Sequence, residues 1–199
     1  LADALLETLE RYGLPTGTLL RLIGARRFDL YDDPMPDLET FEGYAGETAS
    51  AVLQMSAFIL DAAASQRTAT ASGHAGVAQA VAGHLMMLPL TQARGQVFIP
   101  GDLLSATGLD RTTLLAGEDR DRIANAVRGF VAFGREHLGK ARAALAELPN
   151  SVIPAYLPVA LLEATYRRAE RLGAGCLDTQ ARSPQWRRQL HLWRAARRG

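Results

Sequence analysis

The chain has 199 residues, of which 48% are apolar and 22% are charged, and its formal net charge is +1. It is long enough for one globular domain with a sizeable core. A single cysteine, Cys176, excludes an internal disulfide and fits a reducing compartment. No stretch reaches about 18 uninterrupted apolar residues, so no membrane-spanning helix is predicted.

Charge is unevenly distributed along the chain. Six arginines and no acidic residue lie from Arg182 onward, whereas the rest of the chain carries 16 basic and 21 acidic side chains. The near-neutral total therefore hides a basic tail on an acidic remainder. The sequence begins at Leu1 with no initiator methionine, signal peptide or basic transit segment, so we expect that its true start is missing.

Apolar residues at helical spacing predict the elements of the first half of the chain. The predicted helices cover residues 2–12, 16–30 and 37–64, and another begins at Gly73. Thr16 or Thr18 is the expected cap of the second helix, and the acid-rich start at Asp37 suits the positive end of a helix dipole. Residues 65–72 are predicted to form a small polar connection.

Helical spacing continues in the second half of the chain. The predicted segments are a helical turn over 100–108, a linker over 111–117, and helices over about 118–148, 151–172 and 184–198. Pro149 ends the first of these helices, and Ser151 is the expected cap of the next. Because no alternating strand pattern, repeat or low-complexity tract is present, we predict an all-α fold in a single domain over residues 1–199.

The stretch from Gly73 to Pro100 reads GHAGVAQAVAGHLMMLPLTQARGQVFIP. Its second half resembles the second aspartate motif of the squalene/phytoene synthase family. In that family an Asn-x-x-x-Asp-x-x-x-Asp helix leads into a Gly-Arg-hydrophobic-aromatic-hydrophobic-Pro turn. Counting back from Pro100 without gaps, the family's asparagine falls on Gly83 and its two aspartates fall on Met87 and Thr91.

The resemblance extends over most of the chain. Segments 19–30, 42–50, 100–108 and 133–149 are similar, in order and spacing, to other segments of the family. The second of them contains Tyr44, which in the family would form a wall of the prenyl tunnel. The resemblance implies a helical bundle of the isoprenoid synthase type. It also implies a further N-terminal third with another aspartate motif, so these N-terminal helices would precede Leu1.

Met87 and Thr91 cannot supply the chemistry of the family's aspartates. Carboxylates four residues apart share one face of a helix and can jointly hold Mg²⁺ against a diphosphate. Mg²⁺ requires oxygen ligands, whereas a methionine thioether is a soft, neutral ligand. Pro89, between the two positions, predicts a broken or kinked helix. We therefore predict no catalytic residue, no metal site and no cofactor in this segment.

An enzymatic alternative stays open. A Mg²⁺-dependent prenyl transferase could condense two prenyl diphosphates with aspartates from before Leu1. However, family sequences that keep the turn Ala93-Arg94-Gly95 and lack both aspartates resemble bacterial relatives of a mitochondrial complex I assembly factor. That resemblance implies a non-catalytic, cytoplasmic protein with a membrane-complex client, able to associate peripherally with the inner membrane.

The resemblance also implies a relict substrate pocket. Its predicted residues are Tyr44, Thr48, Gly83, Met87, Thr91 and Arg94. Small residues cluster between the Tyr44 helix and the Gly73 helix, which predicts room for an isoprenoid or a quinone tail. They are Gly43, Gly46, Ala78, Ala82 and Gly83. Two interpretations of the larger apolar residues remain, an apolar tunnel or ordinary core packing. These residues are Met55, Phe58, Met86 and Met87.

Other clusters have simpler interpretations than a metal or catalytic site. Asp29, Asp32 and Asp33 resemble a magnesium motif, but a proline-bounded turn cannot hold carboxylates on one helical face. The histidines, at positions 74, 84, 137 and 191, show no metal-ligand spacing. His84 is expected to line the relict pocket or to face solvent, and Cys176 is expected to be a structural thiol.

The last predicted helix is amphipathic. Trp186, Leu190 and Trp193 share one side, at spacing i, i+4 and i+7. Arginines on another side are Arg187, Arg194 and Arg198. This pattern predicts peripheral attachment to an anionic membrane surface. The alternative is that both tryptophans dock onto the bundle. No recognition motif accompanies the arginines, so nucleic acid is not a predicted partner.

Overall fold

A computed structural model describes residues 2–197, and the predicted all-α fold is confirmed there, with no β-strand. The α-helices are α1 (Ala2–Tyr12), α2 (Thr16–Arg26), α3 (Leu38–Ala45), α4 (Ala51–Leu60), α5 (Ala62–Ser65), α6 (Ala69–Ala93), α7 (Gly101–Ala106), α8 (Arg111–Ala116), α9 (Arg120–Leu145), α10 (Leu162–Leu172) and α11 (Gln185–Ala196). Segments of 3-10 helix are Arg27–Leu30, Ile153–Leu161 and Gly173–Leu177. A π-helical segment, Gly46–Ser50, joins α3 to α4.

Helix α6 is the centre of the bundle. It contains no Asp, Glu, Lys or Arg, so it has no charged face to present to solvent. It packs against α9, α10 and the π-helical segment. Its small side chains allow close approach, and Ala75, Ala78 and Ala82 are fully buried. Tyr166 of α10 donates a hydrogen bond from its hydroxyl to the carbonyl oxygen of Ala78, at 2.6 Å. The helix that carries the altered motif is therefore also the main core element.

Two predicted features of α6 are wrong. The helix begins at Ala69, because residues 69–72 are short helix-compatible side chains that extend the helix instead of forming a connection. The helix also continues through Pro89 to Ala93, so the predicted break does not occur. Pro89 removes one backbone donor, and Leu85 and Leu88, in the turn that precedes it, are buried in the core and favour continuation of the helix.

The long helix predicted over 37–64 is divided. Its start is confirmed, since the Asp37 carboxylate accepts a hydrogen bond from the Thr40 backbone N–H at 2.7 Å. The π-helical segment then interrupts it, and α4 ends at Leu60. Asp61 begins the short α5 by accepting a hydrogen bond from the Ala64 backbone N–H at 2.9 Å. Asp61 is extended, with φ of −158°, so one continuous helix is impossible there.

Three smaller predictions also need correction. The linker predicted over 111–117 is α8, which starts with reciprocal capping between Asp110 and Thr113. Neither Thr16 nor Thr18 caps α2, which follows Pro15 without a side-chain cap. Ser151 caps no helix either, because its hydroxyl donates to the Asp61 carboxylate at 2.7 Å.

The chain after Ser151 differs from the predicted single helix. Residues Ile153–Leu161 form a 3-10 helix, and the α-helix starts only at Leu162. Pro154 and Pro158 lack the backbone donors that an α-helix needs at those positions. The last helix, predicted over 184–198, is observed over Gln185–Ala196, and Arg198 lies outside the described residues.

Candidate functional site

An open cavity of about 350 Å³ lies where α3 and the π-helical segment cross α6. Helix α2 contributes Arg26 to it, and α10 contributes Leu162. The remaining lining residues are Tyr44, Thr48, Ala49, Gln79, Ala80, Gly83, His84, Met86 and Met87. Most of the wall is thus one side of α6 facing a tyrosine and a threonine one turn apart.

The cavity exists because side chains on both walls are small. No atom lies within 4 Å of a Cβ built on Gly83, so that side of α6 faces empty space. Ala49 and Ala80 complete the small-residue lining. Opposite them, the Thr48 hydroxyl donates to the Tyr44 carbonyl oxygen at 2.7 Å, which satisfies the donor within its own helix. A π-helical turn is uncommon and is frequently found at functional sites.

Three side chains form a closed polar cluster beside the cavity. The Tyr44 hydroxyl donates to the Asp29 carboxylate at 2.7 Å and accepts from the Arg26 guanidinium at 3.0 Å. Arg26 also donates to Asp29, at 3.0 Å. Burial and the hydrogen bond to Asp29 raise the pKa of Tyr44 well above its ordinary value, so the phenol stays neutral. Each carboxylate oxygen of Asp29 thus accepts one hydrogen bond within the cluster.

His84 is a half-buried residue of the cavity wall. Its ring stacks on Phe98, with centroids 4.4 Å apart and an interplanar angle of 14°. The Phe41 ring meets it edge-on at 5.7 Å. Burial lowers the pKa of His84 to about 4, so the imidazole is neutral at pH 7. His84 was predicted either to line the pocket or to face solvent, and in the structure it lines the pocket.

Gln79 is a cavity residue that sequence reasoning missed. Its Oε1 atom is buried and has no hydrogen-bond partner among the described residues. Gln79 precedes Gly83 by one helical turn, so the i, i+4 spacing that related Gly83 to Met87 would also have found it. Arg26 was missed as well, since nothing local in the sequence relates α2 to α6.

The structure brings together four of the six predicted pocket residues: Tyr44, Thr48, Gly83 and Met87 line the cavity. The other two lie elsewhere. Thr91 is buried, and its hydroxyl donates to the carbonyl oxygens of Met87 and Leu88 at 3.3 and 3.2 Å. Arg94 is exposed beyond the end of α6. Of the predicted pocket residues on or just after α6, Gly83 and Met87 thus line the cavity, whereas Thr91 and Arg94 do not.

The small residues that were predicted to leave space for an apolar ligand lie in three different environments. Only Gly83 lines the cavity, whereas Ala78 and Ala82 are fully buried in the core. Gly43 and Gly46 are exposed, with open space around a built Cβ. Among the apolar residues, Met86 and Met87 line this cavity, while Met55 and Phe58 line a separate one of about 250 Å³ beside α2. Within residues 2–197, these four side chains therefore line two separate cavities and not one continuous tunnel.

The residues at the altered motif do not fit a magnesium ion. Gly83 offers no side-chain oxygen, Met87 offers a thioether, and the Thr91 hydroxyl is engaged within α6. In the Asp29–Asp33 turn, the Arg111 guanidinium donates to the Asp32 carbonyl oxygen at 3.1 Å and pairs with Asp33 at 3.9 Å. Within residues 2–197 no group of three or more His, Cys, Asp or Glu residues could hold a metal ion.

A separate polar contact joins α3, α6 and α9. The Nδ1 atoms of His74 and His137 are 3.2 Å apart, and His137 Nε2 lies 3.4 Å from a Glu42 carboxylate oxygen. Burial lowers the pKa of His137, although Glu42 opposes the change. Cys176 is buried, and desolvation raises the pKa of its thiol to about 11, so it is not a poised nucleophile.

The C-terminal residues lie apart from the cavity. In α11, Trp186 is 61% exposed and Trp193 is 52% exposed, so the alternative in which both tryptophans dock onto the bundle is wrong. Leu190 is half-buried between them. Arg187 and Arg194 are exposed on the neighbouring side.

Comparison with known proteins gives a family and two sets of relatives. The family model described as squalene/phytoene synthase matches residues 1–194. The complex I assembly factor 6 of NADH dehydrogenase (ubiquinone) from Rattus norvegicus is 27% identical over 171 residues, which is 86% of this chain and 51% of the relative. The Homo sapiens protein is 25% identical over the same length. The chain thus spans about half the length of these curated relatives.

Two solved structures share the fold. Squalene synthase HpnC from Alicyclobacillus acidocaldarius superposes with a TM-score of 0.67 and 22% identity, covering 84% of this chain and 65% of that one. YisP from Bacillus subtilis superposes with a TM-score of 0.78 and 17% identity, covering 94% and 74%. The predicted isoprenoid synthase type of helical bundle is therefore confirmed, and at these identities the likeness shows the fold alone.

Proposed function

The chain belongs to the squalene/phytoene synthase family, and from that premise we propose that it binds an apolar chain without transferring prenyl groups. One observation carries the proposal. The cavity wall that α6 contributes holds Gly83 and Met87. At these two positions the resemblance to the family implies an asparagine and an aspartate. No carboxylate lines the cavity among the described residues.

The cavity is suited to an apolar occupant of modest size. A volume of about 350 Å³ lies at the lower end of ligand sites, which are usually mostly apolar with a few polar groups. Met86, Met87 and Leu162 supply flexible apolar contacts, and methionine adapts readily to an irregular ligand. Each methylene group that an isoprenoid-like chain buried there would contribute about 0.8 kcal/mol.

A calorimetric titration with farnesol or a short-tailed quinone tests this binding. Leucine at Gly83 would extend into the empty space, so Gly83→Leu should weaken binding about tenfold or more, since it removes the volume that the ligand fills. Gly43→Leu is the matched control, because Gly43 is exposed and outside the cavity. Equal affinity of both variants, or no binding by the unmodified protein, would contradict the proposal.

The alternative enzymatic function, Mg²⁺-dependent condensation of two prenyl diphosphates, is favoured by the family itself. It would require metal-binding carboxylates from outside the described residues, because the side chains of the cavity wall include no carboxylate and do not fit the ion. EDTA-sensitive turnover of farnesyl diphosphate by the full-length protein separates this alternative from the non-catalytic one.

We also propose a role in assembling a membrane complex, because the chain is similar to complex I assembly factor 6 over 86% of its length. Within residues 2–197 no helix is long and apolar enough to cross a membrane. For such a role we propose a peripheral position at the inner membrane, reached from the cytoplasmic side. Loss of the protein should then lower the amount of assembled complex I on native gels, and an unchanged amount would contradict this role.

A further inference from the structure

The orientation of α11 separates its two sides. The helix packs against the 3-10 segment Ile153–Leu161. Three of its four half-buried residues, Arg188, Leu192 and Ala195, recur at i, i+4 and i+7, so they define the side that contacts the bundle. The fourth, Leu190, lies between the two tryptophans. Arg188 shares a crevice with Leu161, which agrees with this orientation. The helix is thus attached through a mixed and partly polar side.

The opposite side carries the large apolar residues, and we name Trp186, Leu190 and Trp193 the outer face of α11. At 3.6 residues per turn these three lie within an arc of about 60°, roughly opposite the packed side. Both indole rings are more than half exposed. A helix that had folded only onto its own bundle would turn these residues inward, because they are its most apolar surface.

Arginines lie along one flank and at the C-terminal end of the outer face. The Arg187 guanidinium lies 5.0 Å from the Trp186 ring centroid, and the Arg197 guanidinium lies 4.0 Å from that of Trp193. Arg194 is exposed on the same flank. From Arg182 to Arg197 there is no acidic residue, and none of the arginines in that segment pairs with a carboxylate within the described chain. Their charge is therefore available to an anionic partner.

We infer that the outer face of α11 docks on an anionic lipid membrane, with the tryptophans at the level of the headgroups and the arginines against lipid phosphates. Tryptophan favours the membrane–water interface because its ring is apolar and its N–H is polar. Arginine side chains hold phosphate bidentately. The rest of the chain has a net negative charge, so an anionic membrane attracts the basic helix α11 and repels the bundle. This difference orients the molecule with α11 towards the membrane. The inference rests on the proposed peripheral position at the membrane, for which it names the surface, and it is independent of the proposed ligand binding, because it does not depend on the cavity.

Intrinsic fluorescence tests the inference directly, because the chain has two tryptophans and both lie on the outer face. The probe is a series of vesicles of phosphatidylcholine, with and without phosphatidylglycerol. We expect a blue shift and quenching by brominated acyl chains with the anionic vesicles, and a much smaller change with the neutral ones. An emission spectrum that is unchanged by anionic vesicles would overturn the inference.

Flotation of variants assigns the binding to this face. Trp186→Gln with Trp193→Gln should reduce the vesicle-bound fraction about tenfold, since membrane affinity follows the buried apolar area. The matched control removes two exposed apolar residues of α2, Leu20→Gln with Ile23→Gln, and should float like the unmodified protein. Arg187→Gln and Arg194→Gln should each weaken binding about fivefold. Circular dichroism checks that each variant is folded.

Two results would contradict the assignment. Equal flotation of the tryptophan variant and the α2 control would show that the outer face is not the contact. Retention of the protein on immobilised single-stranded RNA, without vesicle binding, would show that the arginines serve a nucleic acid instead.

Discussion

Gly76 of α6 lies directly against Ser50 of the π-helical segment, and a Cβ added to Gly76 would overlap the Ser50 backbone and hydroxyl. The Ser50 hydroxyl in turn donates to the Gly73 carbonyl oxygen at 3.2 Å. This contact fixes the π-helical segment on α6 and holds Tyr44 and Thr48 opposite Gly83. The cavity therefore depends on a glycine that does not line it.

Alanine at Gly76 tests this relationship. We expect Gly76→Ala to lower the free energy of unfolding by about 1–3 kcal/mol, because the backbones must separate to admit a methyl group. Gly73→Ala is the control on the same helix, where no atom lies within 4 Å of the added Cβ. It should be neutral or stabilising by up to about 1 kcal/mol. Urea unfolding measures both, and equal effects would mean that the contact is not tight.

Removal of the Tyr44 hydroxyl tests the polar cluster beside the cavity. Tyr44→Phe should lower the free energy of unfolding by about 0.5–1.5 kcal/mol, since its hydroxyl bonds both Asp29 and Arg26. Tyr31→Phe is the control, because Tyr31 is 64% exposed. A Tyr44→Phe protein as stable as the control variant would show that the cluster contributes nothing.

The half-buried imidazole of His84, packed against Phe98, predicts a pH dependence. Its folded pKa of about 4 lies below the ordinary value of 6.5, so the unfolded chain takes up the proton first. The contribution of His84 to stability is therefore complete above pH 6.5 and is lost as the pH falls from there towards about 4. His84→Phe should show a shallower decline over this range in urea unfolding. An identical decline in the two proteins would contradict the assignment.

The facing Nδ1 atoms of His74 and His137 can form a hydrogen bond only when one of them carries a hydrogen. Neutral imidazoles meet this condition, with His137 donating through Nε2 to Glu42 and accepting at Nδ1. A double-mutant cycle with His74→Asn and His137→Asn should give a coupling of about 1 kcal/mol at neutral pH. Strict additivity at neutral pH would rule out the bond.

The all-α architecture could be predicted because apolar spacing and helix-stopping residues are local signals. Most of the buried side of α9 was predictable for the same reason, since Ile123, Val127 and Phe130 recur at helical spacing and are fully buried. The continuation of α6 through Pro89 was not, because packing of Leu85 and Leu88 outweighs a missing backbone donor. The π-helical segment likewise depends on a tertiary contact between Ser50 and Gly76.

The candidate site was half predictable. Gly83 and Met87 came from counting back from Pro100, Tyr44 and Thr48 came from similarity to a family motif, and all four line the cavity. Thr91 and Arg94 follow in the same register, yet the cavity does not extend to them, so one is buried in its own helix and the other is exposed. Arg26 and Gln79 could be identified as cavity residues only from the three-dimensional structure, because local sequence does not predict how α2, α3 and α6 cross.

The claim that the cavity holds an apolar chain but transfers no prenyl group is tested most directly by incubating the full-length protein with labelled farnesyl diphosphate and Mg²⁺. Because Gly83 and Met87 occupy the wall where metal-binding groups are implied, we predict that no condensed product forms above the level of a no-protein blank. Addition of EDTA should then change nothing. A condensed hydrocarbon or its diphosphate intermediate that appears with Mg²⁺ and disappears with EDTA would contradict the account.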